Sequence, residues 1–155
     1  MPAPALSHVI LTGALIGVIF TVQVFYFYAV DNVWVEMTQR ELQELTDYVA
    51  DTIANLYFLV NATNTNPMLT KTLRLPLDVG GSSYTLQVTY DQSNNAQSVK
   101  SALEVKSWVG ASSWLPRGLK VDAARTQTIE GSGKTVVAGC QRVASNTRIW
   151  IAYEG

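Results

Sequence analysis

The segment Glu130–Thr135 (Glu-Gly-Ser-Gly-Lys-Thr) has the composition of the end of a nucleotide phosphate-binding loop. That motif requires a glycine five positions before Gly133, where this chain has Thr128. The motif also requires a helix after the loop, whereas Val-Val-Ala-Gly-Cys-Gln-Arg-Val is typical of a strand. The segment is therefore predicted to be a hairpin turn, and no cofactor is expected.

Residues for other kinds of catalysis or for metal binding are scarce. His8 is the only histidine, so a Ser-His-Asp triad would need a base inside an apolar segment. The single cysteine, Cys140, excludes an intrachain disulfide, and one His with one Cys is too few for a His/Cys metal site. We expect Cys140 to be a buried, inert thiol, and we expect the protein not to be an enzyme and to hold no metal.

Four tryptophans could in principle stack on sugars or bases: Trp34, Trp108, Trp114 and Trp150. Packing in the core or at an interface is the favoured role, since the aromatic residues lie within strand patterns and few basic residues are interleaved with them. The net charge of −1 creates no general attraction for nucleic acid, which is therefore not expected as a partner.

The element that dominates the chain is an apolar run from Leu6 to Val30. The first thirty residues contain no Lys, Arg, Asp or Glu, and the run exceeds the about 20 residues that cross a bilayer as a helix. No basic residue precedes it and no small-residue cleavage site precedes a new domain, so we expect the segment to stay on the mature chain rather than to be a cleaved signal.

Two features leave the role of this run open. Gly13 and Gly17 form a G-x-x-x-G pair that permits close helix packing, and Phe25–Tyr28 is an aromatic cluster. One interpretation is a membrane span with an interfacial aromatic belt. The other is a helix that leaves the bilayer and packs against copies of itself, which the amide of Gln23 within the run favours.

Helical periodicity continues well beyond the apolar run. Apolar residues recur at spacings of three and four, forming the stripe Leu42, Leu45, Val49, Ile53, Leu56 and Val60. No Pro or Gly occurs between Gly17 and Pro67, and Asn61–Pro67 is predicted to end the helix. We therefore predict that residues 1–61 form the long N-terminal helix, with a continuous stretch of about 55 residues that is about 80 Å long and with the membrane-spanning part at 6–30.

Residues 68–155 are predicted to form an antiparallel β-sandwich head, which makes the fold class α+β. Turn signals at Gly80-Gly81, Asp91–Asn95, Gly131-Ser132-Gly133 and Ser145-Asn146 separate apolar-polar alternations. Ser112–Lys120 is predicted to be a loop. The predicted strands are Thr70–Leu77, Ser82–Tyr90, Ser98–Val109, Arg125–Glu130, Lys134–Val143 and Thr147–Tyr153.

Charge is divided unevenly along the chain. Residues 1–60 contain six acidic residues and one basic residue, whereas residues 61–155 contain ten basic and six acidic residues. This asymmetry is compatible with chance in a short chain and with acidic stalks that contact basic heads of neighbouring copies.

The segment Ala5–Gly13 (Ala-Leu-Ser-His-Val-Ile-Leu-Thr-Gly) resembles the hydrophobic start of archaeal type IV pilins, in which a Leu-Ser-Pro-Val-Ile type of sequence is frequent; His8 replaces the proline. Asp47–Leu59, the basic-apolar strand Thr72–Pro76 and the segment Gly80–Leu86 are also similar to archaeal pilin-like and archaellin-related surface proteins. The resemblance covers the whole layout of helix and head.

This resemblance implies an extracellular helical filament whose core is built from the N-terminal helices and whose surface is built from β-sandwich heads that are often glycosylated. Asn61, in the acceptor tripeptide Asn61-Ala62-Thr63, is the glycosylation candidate. The residues expected to pack the filament core are Leu6, Val9, Ile10, Gly13, Gly17, Phe20, Val24 and Phe27.

The resemblance also implies partners and a location. Such pilins wait in the membrane, are cut by a prepilin peptidase after a short basic leader, and are polymerised by pilus assembly machinery. No Lys or Arg precedes Leu6, so either this sequence begins after the cut or the chain is an uncleaved, membrane-anchored relative. The expected function is a subunit of a homo-oligomeric filament for adhesion or surface attachment. The alternative is a membrane-anchored minor pilin or a stator-like protein with an extracellular β-domain.

Overall fold

The computed structural model of the protein describes residues 3–63, 68–91, 96–143 and 146–154. The chain divides into two compact units, Met1–Glu36 and Met37–Gly155. A single helix, α1 (Ala3–Ala62), supplies all regular structure of the first unit and the N-terminal element of the second. The predicted long helix is thereby confirmed, with its end one residue beyond the predicted Asn61.

In the described residues eight strands follow the helix. They are β1 (Met68–Leu73), β2 (Tyr84–Asp91), β3 (Ala96–Leu103), β4 (Gly110–Trp114), β5 (Leu119–Val121), β6 (Ile129–Glu130), β7 (Val136–Val143) and β8 (Asn146–Tyr153). The first sheet has the order β1-β7-β8-β5 and the second the order β4-β3-β2-β6. A long apolar helix followed by two sheets is an α+β fold, as predicted.

The core of the second unit is formed by the predicted apolar residues of α1 from Leu42 to Val60, which we call the buried stripe, and by the inner faces of the strands. Leu42, Val49, Ile53 and Val60 are fully buried. On β2 the predicted alternation is confirmed, since the side chains at 84, 86 and 88 are buried between exposed or half-buried neighbours. The alternation ends at Tyr90, which is 51% exposed.

Side-chain hydrogen bonds connect the helix to both sheets, and those at Thr46 are buried. The Thr46 and Ser101 hydroxyls lie 2.7 Å apart and join α1 to β3, while the Thr46 hydroxyl also lies 2.6 Å from the Leu42 carbonyl oxygen. At the end of the helix the Thr147 hydroxyl on β8 donates to Asn61 Oδ1 at 3.2 Å. Buried polar groups without partners are costly, so these bonds help fix the position of the helix within this unit.

Several predicted strand boundaries were wrong. The predicted strand Ser98–Val109 ends at Leu103, and a turn closed by Val109 N donating to Lys106 O reverses the chain into β4. The predicted loop Ser112–Lys120 contains parts of β4 and β5. The predicted strand Arg125–Glu130 shortens to the two residues of β6, and Thr70–Leu77 becomes Met68–Leu73.

Two predictions about connections were also wrong. The Glu130–Thr135 segment links β6 of the second sheet to β7 of the first, so it is a crossover between sheets and not a hairpin turn. The pair β5–β8 is parallel, although every other strand pair is antiparallel as predicted. Residues 64–67, 92–95 and 144–145, in which other predicted turns fall, lie outside the described residues.

Trp150 lies flat on the outer face of the first sheet. It is paired with Gly139 on β7, where an added Cβ would overlap the indole ring. The Arg125 guanidinium covers the indole at 5.0 Å from a ring centroid, and only 6% of Trp150 is exposed. The glycine is therefore required for this outer-face tryptophan to be buried.

Candidate assembly surface

The apolar segment of α1 has no burial of its own in the described chain. From Val9 to Val30, each large apolar side chain is between 48% and 73% exposed. A helix that is apolar on all sides is buried by lipid or by other protein in its working state. By length and composition alone, the part of α1 from Ser7 to Ala62 is long and apolar enough to cross a membrane.

The predicted packing residues share one side of this helix. At about 100° per residue, the eight positions occupy an arc of about 100°. The side chain of Leu6 is outside the described side chains, whereas Val9, Ile10, Phe20, Val24 and Phe27 are 63–71% exposed. The eight predicted residues therefore lie along one side of the helix, and we call this side the seam. That other copies of the helix cover the seam stays a prediction.

Gly13 and Gly17 form the shallow part of the seam. No atom of the described chain other than the adjacent helix backbone lies within 4 Å of a Cβ added to either residue. Packing within one chain therefore gives no reason for glycine at these positions, and both have ordinary helical backbone because neither is among the glycines with positive φ. A G-x-x-x-G pair in an apolar helix permits the close approach of a second helix.

Two hydroxyl groups in the segment are satisfied by the helix itself. The Thr12 hydroxyl donates to His8 O at 2.8 Å, and the Thr21 hydroxyl donates to Gly17 O at 2.9 Å. Such back-bonding suits a helix surrounded by lipid or by apolar side chains. Within the described residues the Gln23 side chain makes no hydrogen bond, and its amide can pair only with something outside them.

The head contains few residues suited to catalysis. In the described residues no three His, Cys, Asp or Glu side chains group as a metal site would require. Cys140 is fully buried, as predicted. Trp150 is also buried, whereas Trp108 and Trp114 are 70% and 56% exposed and so are not core residues. Asn61 is exposed in the last turn of α1, and its glycosylation stays a prediction.

Two charged surfaces of the second unit were not singled out from the sequence. The first is the exposed helix stripe, defined as Glu44, Tyr48, Asp51, Asn55 and Phe58. These residues are exposed and lie on the side of α1 opposite the buried stripe. Their spacing of four, three, four and three residues could have been recognised as the complement of the apolar pattern.

The second surface is the basic row, defined as Met68, Gln141, Arg148 and Lys120. These four residues are direct neighbours across all four strands of the first sheet. Arg148, Lys120 and Met68 are exposed and Gln141 is half-buried. No local sequence signal reveals this row, because it depends on a strand register that joins residues up to 80 positions apart.

A buried thiol and a buried phenol make the stability of the head sensitive to alkaline pH. Burial raises the pKa of the Cys140 thiol from its ordinary 9.0 to about 11. Burial, and then the proximity of Tyr153, raises the pKa of the Tyr84 phenol from 10.0 to about 12. The Tyr84 hydroxyl also donates to Pro76 O at 2.7 Å in its neutral form.

We therefore expect the thermal unfolding midpoint of the head to fall as the pH rises from about 9 to about 11. Over this range the unfolded chain loses protons that the folded chain retains, so deprotonation favours unfolding. Calorimetry or circular dichroism at several pH values measures the slope. The double variant Tyr84→Phe/Cys140→Ala should show a flatter slope, and an equal slope in both proteins would contradict this prediction.

Comparison of the chain with protein-family models, with curated proteins and with solved structures returned no match. The resemblance to archaeal pilins therefore rests on the residues and layout described above.

Proposed function

We propose that the protein is a structural subunit of an extracellular archaeal type IV pilus, polymerised through its hydrophobic N-terminal helix for adhesion or surface attachment. The observation that carries this proposal is the exposed apolar segment of α1, together with a glycine pair that no contact within the described chain explains. The pilin-like residues at Ala5–Gly13 support the same class of protein.

The proposed mechanism is an exchange of surroundings for one helix. In the membrane, lipid covers the apolar side chains between Leu6 and Val30. On assembly, neighbouring copies of the same helix replace the lipid. Exposure of each large side chain to water would cost about 1.5–3 kcal/mol, so a helix that left the bilayer without a partner would be strongly unfavourable. Prepilin peptidase and pilus assembly machinery are the proposed partners for this transfer.

A second candidate is a membrane-anchored minor pilin or stator-like protein that remains in the bilayer and binds a partner with its head. The back-bonded hydroxyls of Thr12 and Thr21 are compatible with this candidate, because they suit a permanent membrane span as well as a filament core. In that case the glycine pair would contact one partner helix in the membrane.

Electron microscopy of the purified native protein separates the two candidates. Long uniform filaments that contain this chain as the main component are the result expected for a pilus subunit. Small detergent-bound particles without filaments would overturn that proposal and support the anchor. Mass spectrometry of the same material determines the mature N-terminus and tests whether Asn61 is glycosylated.

A further inference from the structure

The basic row places two like charges side by side. Lys120 and Arg148 are direct partners in the parallel pair β5–β8, on the outer face of the first sheet, and both are exposed. Like charges directly opposite each other in a sheet are destabilising. In the described residues neither side chain forms an ion pair, and the neighbour of Arg148 on its other side is the neutral Gln141.

Further positive charge lies beside this pair. The Arg125 guanidinium covers Trp150 and donates to Gln141 Oε1 at 3.4 Å. Its acidic neighbour is Asp122, at 3.9 Å between Arg125 Nε and the carboxylate. One carboxylate against three cations leaves this end of the sheet basic, whereas the opposite end of the row is the apolar Met68, which is 54% exposed.

The exposed helix stripe has an arrangement of charged and apolar residues that complements the basic row. Glu44 and Asp51 give it an acidic end, and neither forms an ion pair within the described residues. Phe58, at its other end, is 61% exposed. Tyr48, between the two acids, is 40% exposed and adds apolar surface. The stripe therefore presents two exposed aromatic rings on the same helix face as two carboxylates that form no ion pair within the described residues.

We propose that the exposed helix stripe of one copy docks across the basic row of a second copy in the filament. Asp51 and Phe58 are seven residues apart, or about 10 Å along the helix. Arg148 and Met68 are separated by two strand spacings, also about 10 Å. With the helix laid across the strands, Asp51 meets Arg148 and Lys120 while Phe58 meets Met68.

This contact favours a filament over a closed dimer. The two surfaces are different parts of the same chain, so the contact is head-to-tail and leaves one free copy of each surface after every addition. The inference rests on the proposed function, since it needs copies of the chain brought together by their N-terminal helices. It adds a second contact with a defined partner surface and gives the charge asymmetry of the sequence a role.

A charge exchange tests the pairing. The acidic variant of the row is Lys120→Glu/Arg148→Glu, and the basic variant of the stripe is Glu44→Lys/Asp51→Lys. Each is expected to lower the yield of filaments sheared from producing cells by at least about tenfold, because like charges then face each other. The variant with all four changes is expected to recover most of the wild-type yield.

The control is Arg74→Glu/Lys100→Glu, which changes the net charge as much as the row variant at exposed positions outside the row. It should form filaments normally, and the thermal midpoint of each solubilised variant verifies that its head is folded. Normal filaments from both reversed variants, or no recovery in the fourfold variant, would overturn this contact and leave the proposed function intact. If the wild-type chain itself forms no filaments, the proposed function fails and the contact fails with it.

Discussion

Leucine at Gly13 or Gly17 is expected to abolish filaments while leaving a folded, membrane-inserted monomer. A single chain accommodates either side chain, since an added Cβ at these positions meets nothing within 4 Å. In a bundle, the same side chain would stand where a neighbouring helix must approach closely, and overpacking of this kind typically costs about 1–3 kcal/mol at each contact. Because every subunit repeats the contact, the cost recurs along the whole filament.

The measurement is filament yield by sedimentation and microscopy, together with the amount of chain in the membrane fraction. Ala29→Leu is the matched control, because it is also a small residue in the exposed apolar helix but lies on the side opposite the seam. Wild-type filament yields from both glycine variants would contradict the assignment of the seam. Loss of filaments in the Ala29 control would show sensitivity to bulk anywhere on the helix and would remove the special role of the seam.

Ile53→Ala is expected to cause a large loss of head stability. Ile53 is fully buried at the centre of the stripe, and truncation of a buried isoleucine to alanine typically costs about 2–5 kcal/mol through lost burial and an unfilled cavity. A domain has only about 5–15 kcal/mol of stability in total, so the variant head should unfold at a much lower temperature.

Thermal unfolding of the solubilised full chain, followed by near-ultraviolet circular dichroism, measures this effect. Asn55→Ala is the control, since Asn55 is exposed on the same helix two residues away. The control is expected to change stability by less than about 0.5 kcal/mol. A midpoint for Ile53→Ala equal to that of the control would mean that the helix is not an integral part of the head core.

The helix was predictable because its signals are local and repeated. Apolar spacing of three and four from Leu42 to Val60 identified the buried stripe, and each of the predicted stripe residues is buried. The uninterrupted sequence between Gly17 and Pro67 predicted one continuous element. On β2 the alternation from Tyr84 identified the inner face of the strand in the same way.

The wrong strand boundaries and connections occurred where the local sequence carries little information about the fold. The connection between β3 and β4 is Glu-Val-Lys-Ser-Trp-Val, in which Ser107 is the single turn-favouring residue, so the sequence only weakly marks a reversal after Leu103. β5 has only three residues, and its partner β8 lies 28 positions along the chain. The parallel pairing, the crossover at Glu130–Thr135 and the basic row all depend on long-range register, which periodicity does not encode.

The candidate site was predictable in part for the same reason. The seam residues follow from helical spacing, and the structure places them on one side of α1. The complementary surfaces of the second unit required the fold, because Lys120 and Arg148 become neighbours only through the β5–β8 pair.

The order of strands in the first sheet has a consequence for the time at which the head can fold. β8 comes last among the described strands, yet it lies in the interior of its sheet, between β7 and β5. When a chain emerges from the ribosome or the translocation channel with its N-terminus first, β5 has no strand to join until β8 follows it. Until then the inner faces of several strands have no complete partner sheet, at a time when the apolar helix is already available to the membrane. If the protein is the membrane-inserted pilin proposed above, early capture of that helix by the bilayer would keep nascent chains apart during this interval. Membrane insertion would then protect against aggregation before assembly begins.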